Sequence, residues 1–377
     1  MPVLRQPRRA SRAAAERQPS SSPEPRSVSP VRASRVSIFL PLDAATRSAS
    51  PTRTPTPART NAKTPTRVNI AAPLALQTRI QSSFAAFLRE LQRPSPSSTD
   101  IDTAAQTVLE VSRQINAMEE FPQFISATLA HDSTCHVAFA VILRSGPQRN
   151  GLWGVRGNVN ASAVSSMLEA YSNFASCVDS YKTLAGFEGF LLGLVEAIRF
   201  GALHSAENIE SWAVFLLSQL ALAGPTVAAT IALLPGFTAS CLSAMSHGAG
   251  VSENLAVYTA LLVNNVAALG GEEAIRALTM SGELVRELGS WLDDAHDAGT
   301  LQRLTGCFNH LSRSAESAKS LHEHGIMDAL RRLSSRPAVA GSSEAREAYV
   351  GLANMAMANI AVRQVTCFFL PHKPVAR

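Results

Sequence analysis

A five-residue pattern recurs through the second half of the chain: an apolar residue, any residue, a polar residue, an apolar residue, then Ala or Ser. Successive polar positions lie 46, 46, 45 and 44 residues apart, at Asn173, Gln219, Asn265, His310 and Asn354. After four of these motifs a glycine opens a new apolar helix, at Gly186, Gly236, Gly282 and Gly325. Two marks recurring in phase at this period predict an all-α solenoid of helical repeats, an architecture that usually binds proteins.

The helices of this array have one apolar face. A good example is the segment after Gly282, with apolar residues at Leu284, Val285, Leu288, Trp291 and Leu292. Apolar residues at i, i+3, i+4 and i+7 make a stripe that must pack against a neighbouring helix, which the next repeat supplies. The array is predicted over residues 161–365, and no run of residues predicts a strand.

Residues 79–160 are predicted to form an N-terminal helical cap and a degenerate repeat. A helix is expected from near Leu76 to Pro94, and Ser98 is positioned to cap the next helix. Residues 146–160 are rich in glycine and carry Trp153, which indicates an insertion between repeats or a functional loop. Residues 366–377 are predicted to form a C-terminal tail.

The first 78 residues have a different composition. Residues 1–80 contain fourteen Lys or Arg and three acidic residues, a net charge of +11, whereas the remainder has twenty basic and twenty-six acidic residues, a net charge of −6. A segment rich in Arg, Ser, Pro and Thr buries too little apolar surface to offset its ordering entropy, so residues 1–78 are predicted to be disordered. Their charge suits an acidic partner such as tubulin or nucleic acid.

This basic tail also contains repeated phosphorylation motifs. Ser29, Ser50, Thr56 and Thr64 each begin a Ser/Thr-Pro-x-Arg sequence, which resembles the cyclin-dependent kinase consensus. Ser11 follows Arg8-Arg9-Ala10 and resembles a basophilic kinase site. Because each phosphate adds about −1.5 to −2 charges, modification of the four sites would remove more than half of the positive charge of the tail. The apolar residues 36–42 are either a docking peptide or a chance cluster.

No arrangement of residues predicts catalysis, a cofactor or a metal ion. The five cysteines are far apart and odd in number, so they are interpreted as buried free thiols. The His322-Glu323-His324 sequence lacks the spacing that puts two ligands on one helical face. Nucleophile elbows, phosphate loops and dinucleotide-binding fingerprints are missing from the sequence, which therefore predicts a protein that is not an enzyme.

A membrane protein is a competing interpretation, because residues 211–252 contain no Asp, Glu, Lys or Arg. However, Gly224-Pro225 and Pro235-Gly236 divide this region into pieces shorter than the roughly 20 residues that a membrane span requires. A central repeat covered on both sides would have the same composition. The sequence begins without the apolar segment of a signal peptide, so the expected location is cytoplasmic, cytoskeleton-associated or nuclear.

The clearest unit resembles an armadillo repeat. It runs from Asn265-Val266-Ala267 through Glu273-Ala274-Ile275 to Gly282-Glu283-Leu284-Val285-Arg286-Glu287-Leu288. The family consensus has Leu-x-Asn-Leu-Ala/Ser, a polar stretch, Gly and then Leu-x-x-Leu-Leu; HEAT repeats are the nearest confusable class. The resemblance implies a right-handed armadillo-like solenoid whose repeated polar residues (Asn173, Gln219, Asn265, His310 and Asn354) line a peptide-binding groove. Amides at these positions could instead bond neighbouring loops.

Three functions follow from these interpretations. The first is a protein-interaction scaffold with a phosphoregulated basic tail, in a cytoskeletal, centrosomal, ciliary or chromosome-associated assembly. The second is a cargo adaptor that binds basic peptides in the groove, although nuclear-import adaptors carry a Trp four residues before each Asn and this chain does not. The third is a membrane protein that uses residues 211–252.

Overall fold

The structure of the chain, a computed structural model, describes residues 71–115, 133–148, 151–154, 156–175, 178–251, 253–295, 297–336 and 343–369. These residues form sixteen α-helices and no strand beyond two isolated bridges, which confirms the predicted all-α fold. The helices are α1 (Ala71–Gln92), α2 (Ser98–Ile115), α3 (Ser133–Ser145), α4 (Ala161–Phe174), α5 (Val178–Ala185), α6 (Phe190–His204), α7 (Glu207–Leu220), α8 (Pro225–Leu233), α9 (Phe237–Val251), α10 (Glu253–Leu269), α11 (Gly271–Met280), α12 (Gly282–Asp294), α13 (Ala298–Leu311), α14 (Ala315–Glu323), α15 (Ile326–Ser335) and α16 (Ser343–Phe369).

The helices stack in two layers. One layer, here the ladder layer, contains the helices with the repeated polar motif and their N-terminal counterpart: α2, α4, α7, α10, α13 and α16. Each of these helices packs against the next one in this order. The other layer, here the back layer, stacks α1, α3, α6, α9, α12 and α15 in the same way. Apolar side chains between the layers form one continuous core from Leu76 to Ile360.

Each regular repeat has three helices. The short helices α5, α8, α11 and α14 each precede a back-layer helix, and α8, α11 and α14 pack in succession. The helix α1 begins at Ala71, earlier than the predicted start near Leu76, and it packs against both α2 and α3. The pair α1 and α2 therefore continues both layers as a further repeat unit at the N-terminal end.

Glycines mark the turns that precede the back-layer helices. Gly236 and Gly325 have φ values of 77° and 75° immediately before α9 and α15. Residues with a side chain rarely adopt this left-handed conformation, which explains glycine at these turns. Gly282 has a packing role instead, since a Cβ at this position would collide with the imidazole of His324. The prediction that Gly186 begins a helix is wrong, because α6 begins at Phe190 after Gly189, which has the same left-handed conformation with a φ of 76°.

The glycine-rich residues 146–160 lie between α3 and α4, within a repeat rather than between two repeats. The backbone folds back on itself: Trp153 N donates to Val159 O at 2.6 Å, and Val159 N donates to Trp153 O at 3.2 Å. The Trp153 side chain is fully buried, and its ring lies edge-on to Phe200 with centroids 4.9 Å apart. This segment therefore contributes a side chain to the core.

The charge-poor residues 211–252 form parts of two repeats. No single helix of the described residues is long and apolar enough to cross a membrane, although α8 and the first ten residues of α9 meet the criteria together, bent by 80°. In the structure α8 packs against α10 and α11, and α9 packs against α6, α10 and α12. These apolar helices lie in the central repeats and bury one side against their neighbours, whereas Leu233 of α8 is 57% exposed.

Candidate functional site

The structure places the five predicted ladder residues at equivalent points near the C-terminal ends of their helices, except that α16 continues well beyond Asn354. Four of them are buried, with 7 to 9% of their surface exposed: Asn173, Gln219, Asn265 and His310. Asn354 is exposed, and no described helix packs on α16 from the C-terminal side. The ladder is therefore regular in sequence but uneven in its access to solvent.

Three ladder side chains hydrogen-bond to neighbouring helices. Asn173 Nδ2 donates to Ser112 Oγ at 3.0 Å, and Asn265 Nδ2 donates to the Ser218 carbonyl at 2.9 Å. The Tyr181 hydroxyl donates to Gln219 Oε1 at 3.0 Å. Such bonds satisfy polar groups that burial would otherwise leave unpaired. These side chains join helices of successive repeats, and their binding of a ligand remains a prediction.

His310 behaves differently from the amides. Its Nδ1 is buried and has no hydrogen-bond partner among the described residues. Burial, together with the charge of the nearby Arg313, lowers the pKa of His310 to about 4. The imidazole is therefore neutral at pH 7 and fills the ladder position as an uncharged group.

The free side of the ladder layer is a surface that we call the ladder face. Its members lie four and seven residues before each ladder residue, on the same side of the helix as that residue. In the two central repeats these positions hold aromatic and apolar residues: Trp212, Phe215, Tyr258 and Leu261. Trp212, Phe215 and Leu261 are partly exposed, whereas Tyr258 is 5% exposed.

Three of these residues form an aromatic cluster across two helices. The rings of Trp212 and Phe215 are edge-on, with centroids 6.1 Å apart on α7. Phe215 contacts Tyr258 of α10 with centroids 4.9 Å apart. The Tyr258 hydroxyl is buried and has no hydrogen bond within the described residues. The cluster therefore has partly exposed ring surface on Trp212 and Phe215 and a buried hydroxyl without a hydrogen bond on Tyr258.

Arg303 follows this cluster on the next ladder helix, seven residues before His310. The described residues give it no ion pair or hydrogen bond. Burial lowers the pKa of Arg303, while Asp297 and Tyr258 act in the opposite direction. The Asp297 carboxylate caps α13, since its Oδ1 accepts from Thr300 N at 2.8 Å. Arg303 is thus a partly desolvated cation beside Tyr258, whose own pKa is raised by burial.

At the N-terminal end of the ladder face, an acidic side chain is neutralised by an ion pair. Glu169, four residues before Asn173, pairs with Arg113 of α2 at 2.7 Å. Arg113 and Glu169 thereby neutralise each other. From its N-terminal to its C-terminal end, the ladder face consequently has a closed ion pair, an aromatic centre, the unpaired guanidinium of Arg303 and the exposed Glu347 of α16, seven residues before Asn354.

Comparisons with known proteins address the fold. No protein-family model and no curated protein sequence matches the chain. Two designed armadillo repeat proteins, one of them in complex with the peptide (KR)4, match with a TM-score of 0.55 and 16% identity over 74% of this chain and 99% of theirs. A crystal structure titled only as an engineered protein matches equally well. The chain has an armadillo-like repeat fold.

The armadillo-like fold confirms the family resemblance that the repeated motif suggested. Aromatic residues occur at Trp212 and Tyr258, seven positions before their ladder residues, as well as at Phe215. The sequence pattern contained this signal in its spacing, but only the contact between α7 and α10 shows that the rings belong together.

Other predicted sites are placed as follows. The phosphorylation sites Ser11, Ser29, Ser50, Thr56 and Thr64 lie outside the described residues and remain predictions. Among the residues described, no group of three or more His, Cys, Asp or Glu could hold a metal ion. Three of the described cysteines are buried and not in a disulfide: Cys135, Cys241 and Cys307.

Proposed function

We propose that this protein is a non-enzymatic scaffold that binds an extended segment of a partner protein across its ladder face. The observation that carries this proposal is the contact between Phe215 and Tyr258, which joins two successive helices into one partly exposed aromatic surface with Trp212. Aromatic side chains dominate the energetics of many protein interfaces. A surface of this kind on a free molecule is expected to be covered by a partner.

The repeat geometry favours an extended ligand. Packed helices lie about 8 to 10 Å apart, and an extended chain advances about 3.3 Å per residue. A strand-like segment crossing the ladder layer would therefore present a side chain to each helix about every three residues. The designed armadillo protein that holds the peptide (KR)4 supports a peptide as the class of ligand for this fold.

The charges of the ladder face favour a scaffold over an adaptor for basic peptides. A basic ligand would require several unpaired carboxylates along the face. Here Glu169 is neutralised by Arg113, and the next charged side chain along the face is Arg303. Arg303 repels a basic segment, and Glu347 on α16 is the one carboxylate at these positions without an ion pair among the described residues.

The basic tail supplies a second proposed contact. Its net charge of +11 over residues 1–80 supports binding to an acidic surface such as tubulin or nucleic acid, within a cytoskeletal, centrosomal, ciliary or chromosome-associated assembly. The proposed location is accordingly cytoplasmic, cytoskeletal or nuclear. Phosphorylation of Ser29, Ser50, Thr56 and Thr64 would weaken this contact because counterion release makes such binding steep in charge.

The proposed role of the ladder face can be tested with a random-sequence peptide library displayed on phage and selected on the immobilised full chain. We expect peptides to be enriched on the wild type and lost on a Trp212→Ala/Phe215→Ala variant. Met280→Ala is the matched control, since Met280 is a large apolar residue, 77% exposed, at the end of the short helix α11. Equal enrichment of the same peptides on the double variant would refute the ladder face as the binding surface.

The tail contact has its own test. Microtubules and duplex DNA are titrated with the full chain and with the chain phosphorylated at the four motifs, at increasing salt. Binding should weaken with salt and with phosphorylation, and replacement of the four residues by Ala should make it insensitive to the kinase. The same dissociation constant for both forms at low salt would refute the electrostatic switch. It would not affect the proposal for the ladder face.

A further inference from the structure

We propose that the ladder face selects acidic segments, with an apolar side chain on the aromatic cluster of Trp212, Phe215 and Tyr258 and a carboxylate on Arg303. This inference rests on the proposed scaffold function and specifies the chemistry of its ligand. The carboxylate would belong to an Asp or Glu of the partner, about three residues away from its apolar anchor.

The first argument is the state of Arg303. A guanidinium has five donors and remains charged at any pH at which the protein is folded, so a partly buried one is normally paired with a carboxylate. The described residues give Arg303 no ion pair and no hydrogen bond. Asp297 influences it electrostatically but is occupied in capping α13 through Thr300 N. An arriving carboxylate would supply the missing acceptor.

The second argument is the opening around Arg303. On the surface of α13, the neighbours of Arg303 are the residues four positions before it and three positions after it. Both are glycines, Gly299 and Gly306. A Cβ on Gly299 would lie 3.5 Å from Arg303 Nη1, and one on Gly306 would lie 2.8 Å from Asn264 Oδ1. Gly299 leaves one side of the guanidinium without a side chain, although a Cβ there would also lie 3.2 Å from Asp297 Oδ1, whereas the Gly306 side is filled by Asn264 of α10.

The third argument is the order of the groups. The aromatic cluster spans α7 and α10, and Arg303 lies at the corresponding position on α13, the next ladder helix. One helix spacing of about 10 Å corresponds to about three residues of extended chain. A segment with its anchor against Tyr258 would therefore bring a residue three positions away to Arg303. This spacing predicts the separation of the two contact residues in the ligand sequence, and it applies to either direction of the ligand chain.

The buried hydroxyl of Tyr258 adds to the same site. It makes no hydrogen bond within the described residues, and it lies close enough to Arg303 for the two groups to affect each other's pKa. A carboxylate has several lone pairs and can accept from a guanidinium and a hydroxyl together. A basic residue in the ligand could not pair with Arg303, because its ammonium or guanidinium also has donors only.

The experiment uses the peptides enriched from the random-sequence library. We expect Asp or Glu at a fixed distance of about three residues from an aromatic or aliphatic residue. The best peptide is synthesised with that residue as a carboxylate and as its amide, and both are titrated by fluorescence anisotropy. Against the wild-type chain, the amide peptide should bind about ten-fold more weakly or worse, as expected for loss of a charge-assisted hydrogen bond.

Variants of the protein, titrated with the same two peptides, complete a double-mutant cycle. Arg303→Gln should weaken the carboxylate peptide by the same factor and leave the amide peptide unchanged. Arg331→Gln is the matched control, because Arg331 is an exposed arginine of the back layer, in an ion pair with Asp328 at 2.8 Å. The Arg331→Gln variant should bind the carboxylate peptide with the wild-type affinity. The comparison of the two peptides on the unaltered protein tests the proposal even if Arg303→Gln fails to fold.

Three results would overturn the inference. These are enriched peptides without an acidic bias, equal affinity for the carboxylate and amide peptides, or tighter binding of the peptide (KR)4 than of the acidic peptide. Each leaves the scaffold function standing, provided that Trp212→Ala/Phe215→Ala still abolishes enrichment. If the Trp212→Ala/Phe215→Ala variant enriches the same peptides as the wild type, the ladder face is not the binding surface at all.

Discussion

The side-chain amide of Asn265 donates a hydrogen bond to the backbone carbonyl of Ser218, 2.9 Å away on the preceding ladder helix. Asn173 makes an equivalent contact to the Ser112 hydroxyl, one repeat earlier. The polar position that recurs every 44 to 46 residues thus joins two ladder helices to the preceding one, whereas Gln219 accepts a bond from Tyr181 of α5 and His310 Nδ1 has no partner among the described residues. Stacking of identical units explains why a polar residue returns in phase with the helices.

The first prediction concerns this bond. Asn265→Ala should lower the free energy of unfolding by about 1 to 3 kcal/mol, because the buried Ser218 carbonyl loses its side-chain donor. Asn354→Ala is the matched control, since Asn354 occupies the same position in the motif but is exposed. Its unfolding curve in urea should coincide with that of the wild type. Equal destabilisation by both substitutions would contradict the structural role assigned to burial.

The repeat pattern was sufficient to predict the fold but not the state of its polar residues. Spacing places Asn265 and Asn354 in one class, yet one is buried and the other is exposed. The difference arises because α13 packs against α10 after Asn265, whereas no described helix follows α16. A sequence pattern records the position of a residue within a repeat, and burial depends on what lies beside that repeat.

The aromatic cluster was not predicted for a related reason. Phe215 and Tyr258 lie in different repeats and at different positions relative to their ladder residues. Their contact depends on the packing distance between α7 and α10, which periodicity alone does not contain. The glycine-rich residues 146–160 likewise occur within a repeat, and Trp153 is buried although its surroundings in sequence indicate a loop.

The second prediction concerns pH. His310 has a pKa lowered to about 4 in the folded chain, against an ordinary value of 6.5, so the unfolded chain binds more protons between these values. Stability contributed by the neutral imidazole should therefore be complete above pH 6.5 and be lost as the pH falls to about 4, by about 3 kcal/mol at most.

His310→Asn restores the residue type found elsewhere in the ladder and should remove this component of the pH dependence. The measurement is urea unfolding of both chains at several pH values, with His322→Asn, at an exposed position of α14, as the control. Parallel curves for the wild type and His310→Asn down to pH 4 would show that His310 is accessible to protons in the folded state.

The third prediction concerns the back layer. Leu284 is fully buried in α12, whereas Ser290 in the same helix is exposed. Leu284→Asp should unfold the array because an unpaired buried carboxylate costs several kcal/mol. Ser290→Asp should remain helical by circular dichroism and monomeric by gel filtration. A helical and monomeric Leu284→Asp chain would mean that the assigned face of α12 is wrong.

The fourth prediction concerns the thiols. Burial raises the pKa of Cys307 to about 12 and raises that of Cys241 even further, with Cys307 adding to the effect on Cys241. Since the thiolate is the reactive form, these buried cysteines should be inert. In a Cys177→Ser/Cys367→Ser chain, which retains only the three buried cysteines, a thiol reagent at pH 8 should react only after denaturant is added. Rapid labelling of the native chain would contradict their burial.

The last prediction uses the three tryptophans of the chain as reporters. Trp153 is fully buried, Trp291 is 6% exposed, and Trp212 is partly exposed on the ladder face. Acrylamide should therefore quench only the fraction of the fluorescence that comes from Trp212, and Trp212→Phe should abolish this fraction. A peptide seated on the aromatic cluster should protect Trp212 from the quencher, whereas a peptide bound elsewhere should leave quenching unchanged. If Trp212→Phe is quenched as strongly as the wild type, Trp212 is not the exposed member of the cluster, and an anchor could not reach the rings from the ladder face.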